Sequence, residues 1–211
     1  MIAAAIFDAF GTLVEIQNRQ NPYKRLLRIG VQQGRVVSPS DLRTVMALNG
    51  GLREAADLFG IKLSPAQLIE LQGALDRELE SIKCFDDALP AIERLQEHRI
   101  KVGVCSNLAG PYCSRVRSLI PGLDAYALSA ETGVLKPNPE MYRSVCAMLD
   151  IFPGQVMESE TAQVVMIGDS HRCDEHGPRS FGIAGHHLDR KGGGGFRSLI
   201  EFTSAIAKSS L

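Results

Sequence analysis

Three short apolar runs constrain this chain most: AAAIFDAF near the N-terminus, IKVGVCSN in the middle and QVVMIGDS towards the end. Each has the length and the β-branched or aromatic content of a buried strand, and each stops on a small polar or acidic residue followed by loop or helix signals. Segments of helical period lie between them, including Ala88 to His98 and Glu140 to Leu149, and AYALSAE reads as a weaker fourth strand. Strands that alternate with helices pair in parallel, so the expected fold is α/β, a doubly wound parallel sheet with its site at the carboxyl ends of the strands. Residues from about Glu15 to Asp86 break the rhythm. They read as amphipathic helices, with SPSDL and LSPAQL as N-terminal signals and no convincing strand. The expected organisation is a core of residues 1–14 and 87–211 with an all-helical insertion over residues 15–86. KGGGGF reads as a flexible surface loop.

A chain of 211 residues, 45% hydrophobic, can bury a core of this kind. Its net charge of -1 supplies no field for nucleic acid or an anionic membrane. The N-terminal run is too short to span a membrane and reaches Asp8 before any cleavage-type segment, so neither export nor a membrane partner is expected. Five cysteines without CxxC spacing suit free thiols in a reducing cytoplasm.

The polar residues at the strand ends can be treated as one site although they are far apart in sequence. They are Asp8, Ser106 with Asn107, Asp169 with Ser170, and Asp174, joined by Lys136 ahead of a helix whose approach Pro137 and Pro139 fix. Three acids, an amine and hydroxyl or amide donors are what a carboxylate nucleophile needs to attack an anionic electrophile.

Four stretches in order, FDAFGTL, VCSN, ETGVLKPNPEMY and MIGDSHRCDEHG, resemble the haloacid dehalogenase-like (HAD) hydrolase superfamily over nearly the whole chain. The resemblance implies Asp8 as nucleophile, Ser106 bonding the transferred group and Lys136 neutralising charge on it and on Asp8. Phe10, Thr12 and Asn107 would line the substrate site. Mg²⁺ would be held by Asp8, the Phe10 backbone carbonyl and Asp169, with Asp174 completing the shell directly or through water. The insertion would be the helical cap of one branch, hinged near Val14-Glu15 and Phe85-Asp87. The partner implied is a small anionic substrate, and a homodimer stays open. His171, Cys173 and His176 could suggest zinc, but no second Cys/His cluster has the spacing.

Two departures pull in opposite directions. Phosphatases of the superfamily carry a second Asp two residues after the nucleophile, which protonates the leaving alkoxide; here that position is Phe10. Losing a general acid costs about 10²- to 10⁴-fold. An aromatic residue there resembles the metal-independent 2-haloacid dehalogenases, whose halide leaves without a proton, and Tyr142 matches a tyrosine of that branch. Those enzymes generally have serine where this chain has Asp169. Two carboxylates about 5 Å apart repel by roughly 3 kcal/mol at an effective dielectric of 20, which a cation relieves. The reading adopted is a Mg²⁺-dependent phosphatase-like hydrolase. A 2-haloacid dehalogenase and a catalytically silent binding protein are the alternatives. A phosphonoacetaldehyde hydrolase would need a cap lysine, and Lys24, Lys62 and Lys83 are available. Arg25 or Arg28 could reach an anionic substrate from the cap.

Overall fold

The computed structural model describes residues 2–152 and 163–208, so positions 153–162 and 209–211 of the expected core lie outside the described residues. The chain runs β1 (Ile2–Phe7), β2 (Val14–Ile16), α1 (Pro22–Gln32), α2 (Asp41–Met46), α3 (Leu52–Leu58), α4 (Pro65–Glu80), β3 (Ile82–Cys84), α5 (Ala88–Glu97) and β4 (Lys101–Ser106). It continues with α6 (Gly110–Leu119), β5 (Ala125–Leu128), α7 (Ser129–Thr132), α8 (Pro139–Met148), β6 (Gln163–Gly168), a π-helical turn at His171–His176, α9 (Gly177–Ser180), β7 (Ala184–His187) and α10 (Leu199–Lys208).

Five strands form one parallel sheet in the order β5-β4-β1-β6-β7. Alternate residues of β1 face opposite layers. Ala5 and Phe7 pack with Val102, Val104, Val165 and Ile167 against Leu95 of α5 and Phe202 of α10. Ala4 and Ile6 pack with Cys105, Val164 and Met166 against Tyr142 and Val145 of α8. A strand covered on both faces has no solvent side, which is why β1 reads as an unbroken apolar run. Succession leaves β1 toward β4 and β5 on one side and resumes at β6 and β7 on the other, so β1 stands at a topological switch point, where a crevice opens at the carboxyl ends.

The segment between β1 and α5 holds helices, as expected, four of them among the described residues, and also two short strands. β2 and β3 pair antiparallel, Val14 with Cys84, Glu15 with Lys83 and Ile16 with Ile82. At three residues each they are too short for a period-2 pattern to register in the sequence. They bring the two expected hinges together, and Phe85 N donates to Leu13 O at 3.0 Å. LSPAQL starts α4 with a reciprocal cap: Ser64 Oγ accepts from Gln67 N and Gln67 Oε1 from Ser64 N. Ser40, by contrast, gives α2 no side-chain cap. Among the described residues no helix is long and apolar enough to cross a membrane.

The glycine-rich loop is exposed but organised, not loose. Asp189 accepts from the backbone N–H groups of Lys191, Gly192 and Gly193, and Leu188 bridges to Phe196.

Candidate active site

Asp8 follows β1 directly, and its backbone N–H donates to Ile167 O of β6 at 3.0 Å, so the sheet itself fixes the nucleophile candidate. Ser106 ends β4 and Asp169 follows β6. Ser106 Oγ donates to Asp8 Oδ1 at 2.9 Å. Lys136 Nζ, 2% exposed, donates to Asp8 Oδ1 at 2.7 Å and to Asp174 Oδ1 at 2.6 Å. Oδ1 of Asp8 therefore takes two donors, and Oδ2 takes none among the described residues.

Lys136 comes from a loop, so something must hold it. Asn107 does so: its Oδ1 accepts from Lys136 N at 2.8 Å and its Nδ2 donates to Lys136 O at 3.1 Å. Asp174 is held by the π-helical turn, a departure from regular helix that is frequent at functional sites. Its Oδ2 accepts from Ser170 N at 2.9 Å. Tyr142 braces the turn from below by donating to Cys173 O at 2.7 Å. Two glycines make the close approach feasible. A Cβ on Gly168 would lie 2.4 Å from the Asp174 carboxyl, and one on Gly11, already at φ 82°, would lie 2.2 Å from Asp169 Oδ2.

The three carboxylates are crowded. Asp8, Asp169 and Asp174 offer oxygens all within 4.8 Å of one another. Burial, opposed by Lys136 and reinforced by the Asp8 charge, raises the Asp174 pKa. Desolvation and then the Asp8 charge raise that of Asp169 as well. Burial alone would lower the Lys136 pKa, but Asp8 and Asp174 outweigh it and hold the ammonium well above its ordinary value. One amine thus faces three acids, the surplus of negative charge that a hard divalent cation relieves. The donor set fits such an ion. All ligands are oxygens, and the Phe10 carbonyl accepts no backbone hydrogen bond among the described residues.

Other expectations fall differently. Thr12 is fully buried, its hydroxyl has no partner among the described residues, and it does not line the pocket described below. His171, Cys173 and His176 do not converge as metal ligands, since the three-acid group is the only such cluster among the described residues. Burial pushes the Cys105 thiol up to about 12, which keeps it inert. His187 reaches the site's edge, where its Nε2 donates to Asp169 O at 3.1 Å while its ring stacks on His171 at 3.6 Å. Its place at the end of β7, a fourth strand end, was the available signal.

Beside the carboxylates lies a pocket of about 290 Å³ between the helical segment and the core. Phe10 and Asn107 belong to both the pocket and the polar cluster. The Phe10 ring meets Tyr112 edge-on, with centroids 5.9 Å apart. Tyr112 Oη donates to Glu78 Oε1 of α4 at 2.7 Å, and Glu78 Oε2 accepts from the backbone of Gln20 and Asn21, a buried link from core to helical segment. Arg25 and Arg28 line a separate groove, whereas the exposed Arg19 and Lys24 line this pocket. Lys62 and Lys83 are exposed and line no part of it.

Comparison with known proteins follows the geometry. The profile of the haloacid dehalogenase-like hydrolases matches residues 2–182. No curated protein matches the chain in sequence. Among solved structures, a HAD phosphatase from Thermococcus onnurineus is 20% identical, with 97% of this chain and 98% of that one covered at a TM-score of 0.65. A 2-haloacid dehalogenase from Pseudomonas syringae pv. Tomato DC3000 is 17% identical, with 99% and 100% covered at 0.65. A HAD family enzyme from Bacteroides thetaiotaomicron, an aspartate-to-alanine mutant in complex with magnesium and inorganic phosphate, is 16% identical, with 90% and 96% covered at 0.59. At these identities the likenesses establish the fold, and the profile match establishes the rest: the chain belongs to the haloacid dehalogenase-like hydrolase family.

Proposed function

We propose that the chain is a Mg²⁺-dependent, phosphatase-like hydrolase of a small phosphorylated metabolite, acting through a covalent intermediate on Asp8 beneath a helical cap formed by residues 15–86. The observation that carries this is Asp169, a third carboxylate with an oxygen within 4.8 Å of those of Asp8 and Asp174, where the single buried ammonium of Lys136 already serves two acids. Asp8, Asp169 and the Phe10 carbonyl would hold Mg²⁺, with Asp174 joining directly or through water. Bound there, the ion would neutralise charge on the phosphoryl oxygens. The magnesium and phosphate complex of the Bacteroides enzyme supports the assignment by analogy of fold.

The protein's own groups do the rest. Ser106 and Lys136 orient Asp8 through Oδ1, leaving Oδ2 to attack phosphorus. The bond from phosphorus to the leaving oxygen breaks with its electrons on that oxygen, and the phosphoryl group stays on Asp8. Water then attacks phosphorus, the Asp8 carboxylate leaves, and phosphate departs with the water's oxygen. The Phe10 ring provides no proton, so the leaving oxygen would depart as a stable anion or be protonated by the substrate itself or by a residue of the cap.

The second reading, a 2-haloacid dehalogenase, is favoured by Phe10 and by the direct Lys136–Asp174 contact, which leaves Asp174 engaged without any metal. The same Oδ2 would attack carbon and expel halide. A paired assay separates the two. Phosphate release from phenyl phosphate should require Mg²⁺, stop with chelator and be lost in Asp169→Ala. Chloride release from 2-chloropropionate in the presence of chelator, without phosphate release, would replace this reading by the second.

A further inference from the structure

The pocket beside Asp8 carries information about what leaves. Its walls are Ile16, Pro22, Leu42, Val45 and Met46 from the helical segment and Leu108 from the core, closed by the rings of Phe10 and Tyr112. Three of the polar side chains that line it are already engaged. Asn107 spends its amide on the Lys136 backbone, and Tyr112 and the backbone of Gln20 and Asn21 occupy Glu78. Tyr23 is the one lining residue whose buried polar atom lacks a partner among the described residues. A polyhydroxylated body such as a sugar would give up its water against these walls and find the Tyr23 hydroxyl and the Asn21 amide in return. A second anion would meet the Glu78 carboxylate. Arg19 and Lys24 are exposed and can serve the mouth of the pocket rather than its interior. Its space of about 290 Å³ admits a small organic body.

We infer that the substrate is an acyl or aryl phosphate whose leaving group is an uncharged, largely apolar body of about that size. The inference rests on the reading of Asp8 as nucleophile and deepens it by joining two independent features. Phe10 supplies no proton, and a leaving group that departs as a stabilised carboxylate or phenolate needs none. The pocket that Phe10 floors receives that same group and selects apolar bodies. A hydroxyl-rich alkyl phosphate fails on both counts.

Two measurements on the intact chain test this. First, calorimetry with alkylphosphonates from methyl to octyl, and with the matching alkylcarboxylates, reads the pocket without any chemistry. Affinity should rise roughly fourfold per added methylene until the pocket is full. Leu42→Glu, at a wall position 38% exposed and therefore tolerant of charge, should flatten the rise, and the half-buried Met46→Glu should do the same. Second, with Mg²⁺, kcat/KM for benzoyl phosphate should exceed that for acetyl phosphate, and that for glucose 6-phosphate should fall lowest. A tail-length gradient that persists while no phosphate is released would count against the phosphatase reading and for the pocket. Affinity independent of tail length in both headgroup series would overturn the inference, as would glucose 6-phosphate turned over faster than benzoyl phosphate.

Discussion

The polar cluster at the strand ends and the apolar pocket beside it share Phe10 and Asn107 yet are built on opposite terms. In the cluster, Asp8, Ser106, Lys136 and Asp174 hold one another through bonds of 2.6 to 2.9 Å and are all at most 8% exposed. They come from two strand ends, one clamped loop and the π-helical turn. In the pocket, contact is largely apolar, the walls belong to two parts of the chain, and side-chain bonds such as Tyr112 to Glu78 and Ser129 to the Met46 carbonyl tie them. The difference teaches where each kind of specificity resides. Charge chemistry is set where the backbone is most constrained, and choice of substrate where walls can change without disturbing it.

Disabling the cluster should have the larger consequences. Asp8→Asn removes the nucleophile while keeping its size, and should reduce turnover of phenyl phosphate by at least about 10³-fold with the fold retained by circular dichroism. Lys136→Met should be nearly as damaging to rate and should also destabilise. It leaves two acids buried without their cation, a loss of about 3–5 kcal/mol readable in a urea melt. Mg²⁺ should recover part of that stability, which would tie the two roles together.

Phe10 sits on the boundary, so altering it sharpens the comparison. Phe10→Asp should restore a proton donor and raise alkyl phosphate turnover relative to aryl by about 10²-fold. A dehalogenase would instead lose activity on 2-haloacids and gain none on phosphates. An unchanged alkyl-to-aryl ratio in a folded variant would show that the proton has another source.

The smallest effect is expected at the seam between the two regions. Arg190 grips Asp87 through two bonds of 2.9 and 3.0 Å, donates to Thr12 O at 2.7 Å and lies over the Phe85 ring at 4.0 Å, so one guanidinium ties both expected hinges to the core. Arg190→Lys keeps the charge and loses the fork. It should lower stability by about 1.5–3 kcal/mol and raise KM more than it lowers kcat. A kcat effect alone would remove the hinge from the account.

How much of this could be read in the sequence differs between the regions for the same reason. Asp8, Ser106 and Asp169 were legible because a run of buried residues ending in a polar one marks a strand end, and parallel topology brings such ends together. Lys136 and Asp174 followed by resemblance. The Asn107 clamp, the Glu78–Tyr112 link and Arg190 were not legible. Each pairs residues 29 to 178 positions apart across loops or across the insertion, where no local period reports the partner. Arg190 in particular stands beside a glycine run that reads as slack, and only Asp189 gathering three backbone N–H groups gives that loop its form.

The central claim is that the third acid makes this a cation site. Manganese titrated into the chain and followed by electron paramagnetic resonance tests it directly, with Asp169→Ser as the comparison. The account expects one tightly held ion per wild-type chain, displaced by Mg²⁺, and at least about tenfold weaker binding in the variant, consistent with removing one charged ligand. Failure of the wild type to hold an ion, together with chloride release from 2-chloropropionate in chelator, would contradict it.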